Sequence, residues 1–368
     1  MAGIGLGHAW DCLFANDIDP KKAASYRANH LGGSELLVKS IEDVTPRDLP
    51  GTPDLAWASF PCQDLSLAGK GAGLDGERSG MFSPFWDLIC AMDNEGRAPK
   101  IIAIENVRGL VTSRDGTDFA IIADAFAKLG YQFGAMIIDA LHFLPQSRPR
   151  FFLVGVHPEF ALPSGIVSKR PNPILHPSSM VSCKEGLSDR TARHWVWWDI
   201  DLPPTRNSSL TMLIEDEPAG VDWHTPAQTN HLLNLMTDVN LAKIESAKRL
   251  KYRAVGAVYR RTRRDKDGTK RQRAEVRFDD VAGCLRTPGG GSSRQTILVV
   301  ENDSVRSRLL SPREAAALMG LPDHYVLPDN YNEAYKLAGD GVAVPVVKFL
   351  AEKIFEPILE KNLLARAA

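Results

Sequence analysis

The sequence is short of several things, and each shortage excludes a class. Five cysteines in 368 residues, none in a Cys-x-x-Cys pair, rule out a disulfide framework and a zinc site of regular spacing, and they fit a reducing cytosol. No metal is expected. No apolar run reaches the length of a membrane span and no signal peptide is visible, so the expectation is a cytoplasmic protein without a membrane partner. Charge of one sign is also missing: 44 Lys and Arg against 45 Asp and Glu leave a formal net charge of −1. Any affinity for a polyanion must then come from a local patch.

What is present is a set of reactive side chains at the ends of apolar runs. Asp54 to Phe60 reads as a short buried strand that Pro61 ends, which puts Cys62 at a strand's carboxyl end, where open α/β sheets hold their ligands. Ile101 to Ile104 is a second buried strand, and Glu105 stands at the same place on it. A thiol attacks as its thiolate, and a carboxyl kept protonated by partial burial can donate to a ring nitrogen. Gln146-Ser147-Arg148-Pro149-Arg150 opens a third strand, with Arg148 and Arg150 on one side of it. Paired guanidinium forks suit a carbonyl oxygen or a phosphate. Singly, Cys62 reads as a small core residue, Glu105 as a helix cap and the arginines as a solvated edge. Together, in this order, they suit nucleophilic attack on an electron-poor base.

A local basic patch does exist. Between Lys248 and Arg277 thirteen basic residues, among them Arg260, Arg261, Arg263 and Arg264, face only Asp265, Asp267 and Glu275. Asp267-Gly268 reads as the turn of a hairpin between Val255–Arg264 and Lys270–Phe278, and a basic hairpin suits a groove or backbone of nucleic acid. The donor-rich stretch from Arg286 to Gln295, with Thr287 and Arg294, follows it.

Phe60-Pro61-Cys62-Gln63, Glu105-Asn106-Val107 and Gln146 to Arg150, with the later segments Arg308 to Glu314 and Gly339 to Pro345, resemble the ordered motifs of the DNA cytosine-5 methyltransferases of bacterial or phage type. The resemblance implies an enzyme that uses S-adenosyl-L-methionine and acts on a cytosine flipped out of double-stranded DNA. It implies that Cys62 adds to C6, that Glu105 protonates N3, that Arg150 holds O2, and that Arg148 braces the site or a phosphate. For the cofactor it implies Asp17 at the ribose, Ile18 against the adenine, and Ser40, Ile41, Phe60, Pro61, Asp340, Gly341 and Val342 around it. Gln63, Ser66, Lys70 and Arg78 would belong to a mobile loop that closes over DNA. A monomer is expected, with a cognate restriction endonuclease as a possible genetic neighbour.

Three departures from the family pattern bear on the cofactor. Ser40 stands where an Asp is usual, and Asp340-Gly341 where Asn and a small residue are usual. Only 16 residues precede Asp17, whereas a Rossmann-type fold needs a strand and a glycine turn about 20 residues ahead of such an acid. Gly5-Leu6-Gly7 is therefore expected to end the first helix, in a chain shortened at its N-terminus.

The architecture expected is α/β, a Rossmann-like methyltransferase domain with a largely parallel sheet, helices on both faces and a smaller target-recognition domain. Strands near 12–16, 54–59, 101–104, 135–139 and 151–156 would alternate with helices near 20–30, 81–94 and 117–129. Residues 1–158 would form the catalytic domain, 159–300 the recognition domain, and 301–368 a return to the first. The stretch Leu162 to Pro177 reads as a linker and His194 to Trp198 as recognition-domain core. Two other functions use much of the same set: a tRNA cytosine-5 methyltransferase and a catalytically silent DNA-binding relic. A Rossmann oxidoreductase would leave the motifs without a task, and an amino-methyltransferase would need an Asp/Asn-Pro-Pro-aromatic motif that the sequence lacks.

Overall fold

The computed structural model describes residues 1–30, 33–60, 80, 82–203, 206–250, 252–264, 268–287 and 294–367. In chain order the helices are α1 (Ala2–Leu6), α2 (Pro20–Asn29), α3 (Phe82–Asn94), α4 (Thr117–Lys128), α5 (Ser178–Glu185), α6 (Asp189–Ala192), α7 (Leu210–Leu213), α8 (Pro226–Asn234), α9 (Asp238–Lys248), α10 (Pro312–Ala317), α11 (Tyr331–Asp340), α12 (Val344–Leu350) and α13 (Glu356–Ala367). The strands are β1 (Ala15–Asp17), β2 (Leu36–Val38), β3 (Leu55–Ala58), β4 (Ile101–Val107), β5 (Gln132–Asp139), β6 (Pro149–Val156), β7 (Val167–Ser168), β8 (Trp197–Trp198), β9 (Ala254–Arg264), β10 (Lys270–Arg277), β11 (Thr296–Glu301) and β12 (Ser304–Leu309). The chain folds into two compact units. One holds residues 2–139, 149–202 and 345–368; the other holds residue 1, 140–148 and 203–344.

In the first unit the sheet order is β3-β4-β6-β5. β3 runs parallel to β4, while β6 runs antiparallel to both β4 and β5. The sheet is thus mixed rather than uniformly parallel. The reason is connection length: residues 140–148 are too few for the crossover of a dozen or more that a parallel return requires. Strand β4 buries six successive residues, as a central strand covered on both faces does. On one face Ile102, Ile104, Phe133, Ala135, Phe151 and Leu153 meet Trp86 and Ile89 of α3 and Phe119, Ile122, Ala123 and Phe126 of α4. The α4 residues follow the i, i+3, i+4, i+7 rule of an amphipathic helix. Helix α1 ends at a left-handed Gly7 (φ 77°), the turn expected of that glycine. Cys12 to Phe14 lie outside the first strand, which begins at Ala15.

The tryptophan run has a different home from the one expected. Trp195 packs edge-on against Phe119 and Phe133, and Trp198 donates its ring N–H to Gly134 O at 3.0 Å. These contacts make it part of the first unit's core, because β5 is the edge of its sheet and the run satisfies its outer groups, His194 O accepting from Phe133 N–H and Val196 N–H donating to Phe133 O.

The second unit carries an antiparallel sheet in the order β10-β9-β11-β12. Leu232 and Met236 from α8 and the turn after it, with Ile244 and Ala247 of α9, meet Ala254, Val258, Ala274, Val276, Leu298 and Val300 on one face. Strand β11 pairs with β9 only over Ala254–Val258, while β10 pairs with β9 out to Arg264. Beyond Val258 the turn after α8 still pairs with β10 at Ala274, and from there outward, Arg261–Arg264 with Lys270–Arg273, the hairpin is a two-stranded ribbon about 13 Å long at the rise of a β-strand.

Candidate active site and nucleic-acid interface

Strands β4 and β6 bring two candidate residues together. Glu105 is buried near the end of β4, and Arg150 near the start of β6 places Nε 3.3 Å from Glu105 Oε1. The antiparallel register pairs Val107 with Arg150 and Glu105 with Phe152, so the two side chains meet on the diagonal of one face. Next to Glu105, Asn106 donates its side-chain amide to Phe60 O at 3.3 Å and accepts from Val107 N–H at 2.9 Å. That amide ties the residue after β3 to the end of β4. Cys62 follows Phe60 by two positions and lies outside the described residues, as do Pro61, Gln63, Ser66, Lys70 and Arg78.

Arg148 has other neighbours. It precedes β6, is 2% exposed, and belongs to the second compact unit while Arg150 belongs to the first. Its guanidinium donates to Leu285 O at 3.0 Å, Gly339 O at 2.9 Å and Gly341 O at 2.7 Å. Its terminal nitrogens thus hold backbone carbonyls, and it stands one residue before the strand that carries Arg150.

The residues expected to hold the cofactor fall into two sets. Asp17 closes β1 and accepts from Asp19 N–H at 2.8 Å, and Ile18 after it is 67% exposed. Parallel pairing sets Asp17 opposite Val38, so Ser40 and Ile41 leave β2 beside them. Asn16 fixes this edge by donating to Leu37 O and Lys39 O at 3.0 and 2.9 Å, while Ser40 caps the turn that Ile41 opens. An acid next to an exposed aliphatic platform at two parallel strand ends fits a ribose and an adenine. The second set, Asp340, Gly341 and Val342, ends α11 in the other unit. There the Met1 thioether lies against Gly341, where a Cβ would clash with it. Among the described residues no group of three or more His, Cys, Asp or Glu is placed to hold a metal.

The basic residues gather on the ribbon. Arg261 stands directly opposite Arg273, Arg263 opposite Arg271, and Arg264 opposite Lys270. Like charges facing across a ladder are destabilising, and here Arg263 is partly offset by Glu275 at 3.0 Å while Arg261 lies over the Tyr259 ring at 5.7 Å. Residues 261–264 and 270–272 are exposed. A projecting two-stranded ribbon matches the width of a DNA major groove. Thr287 donates to Asp340 and Arg294 to Asn332, so both are held by α11. Asn106 stands inside the Glu105-Asn106-Val107 motif, but its bond to Phe60 O is not legible there. Asn16 stands in no motif, and its one signal in the sequence is a polar amide at the end of an apolar strand pattern.

A mixed α/β sheet with an acid and an arginine at its strand ends, covered by helices, fits the Rossmann-like fold of a methyltransferase. Residues 2–356 match the family C-5 cytosine-specific DNA methylase, and the chain belongs to that family. It is an enzyme of the DNA (cytosine-5)-methyltransferase class. It is 30% identical to the type II methyltransferase M.HaeII of Haemophilus aegyptius over 95% of this chain and 89% of that protein. Type II methyltransferase M.Bsp6I of Bacillus sp. (strain RFL6) is 26% identical over 98% of this chain and 97% of its own length. In three dimensions a DNMT2 mutant of Spodoptera frugiperda shares the fold with a TM-score of 0.58 at 17% identity, over 96% of this chain and 95% of that one.

Proposed function

We propose that this enzyme methylates C5 of a cytosine flipped out of duplex DNA, by a covalent route through Cys62, as the modification partner of a type II restriction system. The observation that carries the reading is the buried Glu105–Arg150 pair at 3.3 Å, set one amide away from the strand end that leads to Cys62. In this mechanism the Cys62 thiolate adds to C6 of the ring. Glu105 delivers a proton to N3, so that the negative charge displaced from C6 is not left on the ring. Arg150 orients Glu105 and holds the cytosine O2. Asp17, Ile18, Ser40, Ile41, Phe60, Pro61 and the Asp340–Val342 turn would hold S-adenosylmethionine, which would supply the electrophilic methyl group that C5 takes up, with S-adenosylhomocysteine as the leaving group. Loss of the C5 proton to a base then lets Cys62 leave as thiolate, and return of the N3 proton to Glu105 leaves neutral, aromatic 5-methylcytosine.

On the DNA side, Arg260, Arg261, Arg263 and Arg264 would meet phosphates and groove edges, Thr287 and Arg294 would flank the target, and Gln63, Ser66, Lys70 and Arg78 would reach it from the loop after Cys62. Flipping costs a few kcal/mol of stacking and pairing, which these contacts offset. The test is transfer of labelled methyl from S-adenosylmethionine to mixed-sequence duplex DNA, with transfer RNA as a parallel substrate and Cys62→Ala as control. Transfer to DNA that vanishes in the variant is the expected result. Transfer to transfer RNA alone, or transfer that survives Cys62→Ala, would sink the proposal.

A further inference from the structure

The segment before β6 does more than deliver Arg150 to the sheet. Gln146 is fully buried; its Nε2 donates to Leu318 O at 2.6 Å and its Oε1 accepts from Leu285 N–H at 3.1 Å. Ser147 N–H donates to Ala282 O, and Ala282 N–H to Pro145 O. Arg148 adds its bonds to Leu285 O on one side and to Gly339 O and Gly341 O on the other. Stretches distant in sequence, 282–285, 318 and 339–341, thus converge on one short segment. Carbonyls at a helix end are left over by the helix itself, and a buried guanidinium satisfies two of them here with charge-assisted bonds, roughly twice as strong as neutral ones.

Around this hub two further contacts bind the same parts. The Thr287 hydroxyl donates to the Asp340 carboxylate. Gly339 lies flat against Arg286 and Thr287, where an added Cβ would come within 2.7 Å of the backbone. Near the N-terminal end of α11, Asn332 accepts from Arg294, and the Tyr335 hydroxyl accepts from Gln295 N–H at 2.8 Å. Thr287 and Arg294 are therefore both fastened to one helix, and the turn at the end of that helix is Asp340–Val342. A shift of either part strains the other, because packed helices and buried forks offer few intermediate positions.

We propose that Arg148 is a positioning residue, and that through it and the Thr287–Asp340 bond duplex DNA and S-adenosylmethionine each tighten the binding of the other. This coupling presupposes that Thr287 and Arg294 face DNA and that Asp340–Val342 faces the cofactor, as proposed above. Linkage makes the effect reciprocal: the factor by which DNA raises cofactor affinity equals the factor in the opposite direction.

Calorimetric binding of S-adenosylhomocysteine to the full chain, with and without saturating mixed-sequence duplex DNA, measures that factor without turnover. DNA is expected to tighten binding by at least about fivefold, the lower end of ordinary coupling. Thr287→Val, which removes the hydroxyl and keeps the shape, is expected to bring the ratio close to one, and Thr287→Ser to restore it. Arg148→Lys is expected to lower the ratio as well; should it fail to fold, Thr287→Val carries the test. A ratio of one in the parent chain, or an unchanged ratio in a folded Thr287→Val, overturns the coupling while the proposed function stands. If either ligand fails to bind the parent chain, the proposed function falls and the coupling with it.

Discussion

Glu105 is buried, and its carboxyl has a guanidinium nitrogen 3.3 Å away. Glu105→Gln keeps the shape and removes the acid, so methyl transfer is expected to drop by about 10²- to 10⁴-fold, the range of a lost general acid, while DNA binding by gel shift stays near the parent value. A drop below tenfold would exclude Glu105 as the proton donor. The second unit has a tighter pair. Arg308, fully buried, makes two bonds to Glu314 at 2.7 and 2.6 Å and a third to Glu215 O at 2.6 Å. Removing one partner leaves the other charge buried, so Arg308→Met is expected to cost about 3–5 kcal/mol in urea unfolding, and the joint change Arg308→Met with Glu314→Leu much less. An equal loss in the two would show that the pair stabilises the fold outright. His176 behaves differently. Burial pushes its imidazole down to about 4 from the ordinary 6.5, and Nε2 has no hydrogen-bond partner among the described residues. The unfolded chain therefore takes up a proton first. Stability from this site is complete above pH 6.5 and falls toward pH 4, by up to about 1.4 kcal/mol for each pH unit. Melting temperatures of the parent and of His176→Gln should diverge over that window; parallel curves would refute the assignment.

Among elements, those with a strong local period were legible in the sequence. The α4 stripe of Phe119, Ile122, Ala123 and Phe126 and the apolar run of β4 fall where the pattern puts them. The reversal of β6 was not legible from its own residues, since a buried strand reads alike in either direction; only the short connection 140–148 decides it. Strands β11 and β12 also escaped, although they pair with each other across the short turn at Asn302 and Asp303; β11 is set in the sheet by β9, some forty residues earlier. In the candidate site, Glu105 and Arg150 were legible as a motif, but the separate surroundings of Arg148 were not, because its partners at 285, 339 and 341 come from folded neighbours. The basic hairpin was legible, and its length beyond the sheet gives it a testable property. Replacing Arg261 and Arg263 by Gln is expected to reduce DNA affinity evenly across sequences and to flatten the slope of log affinity against log salt by about 1.8, or 0.9 for each phosphate no longer neutralised. The melting temperature should hold or rise, since two facing like-charge pairs are relieved. An unchanged salt slope would remove the ribbon from the DNA interface.

At the scale of the molecule, the second unit is assembled from pieces of chain that are far apart. Residues 140–148 enter it between β5 and β6, long before the continuous stretch 203–344 begins. That short piece supplies Gln146 and Arg148, and with them the partners of Leu318 O, Leu285 N–H, Leu285 O, Gly339 O and Gly341 O. Without it, buried polar groups would lose their partners, each at a cost of about 1–3 kcal/mol. Against a typical domain stability of roughly 5–15 kcal/mol, five such losses remove most of the margin. A fragment 203–344 made alone is therefore expected to lack cooperative thermal unfolding and to be cut quickly by protease, although it holds the whole sheet β10-β9-β11-β12. Adding a peptide of residues 140–150 in excess should restore part of the transition, because it returns both side chains to their carbonyls. A fragment that melts cooperatively at the temperature of the full chain, with or without the peptide, would show that the hub contributes little to stability and that Gln146 and Arg148 act on position alone.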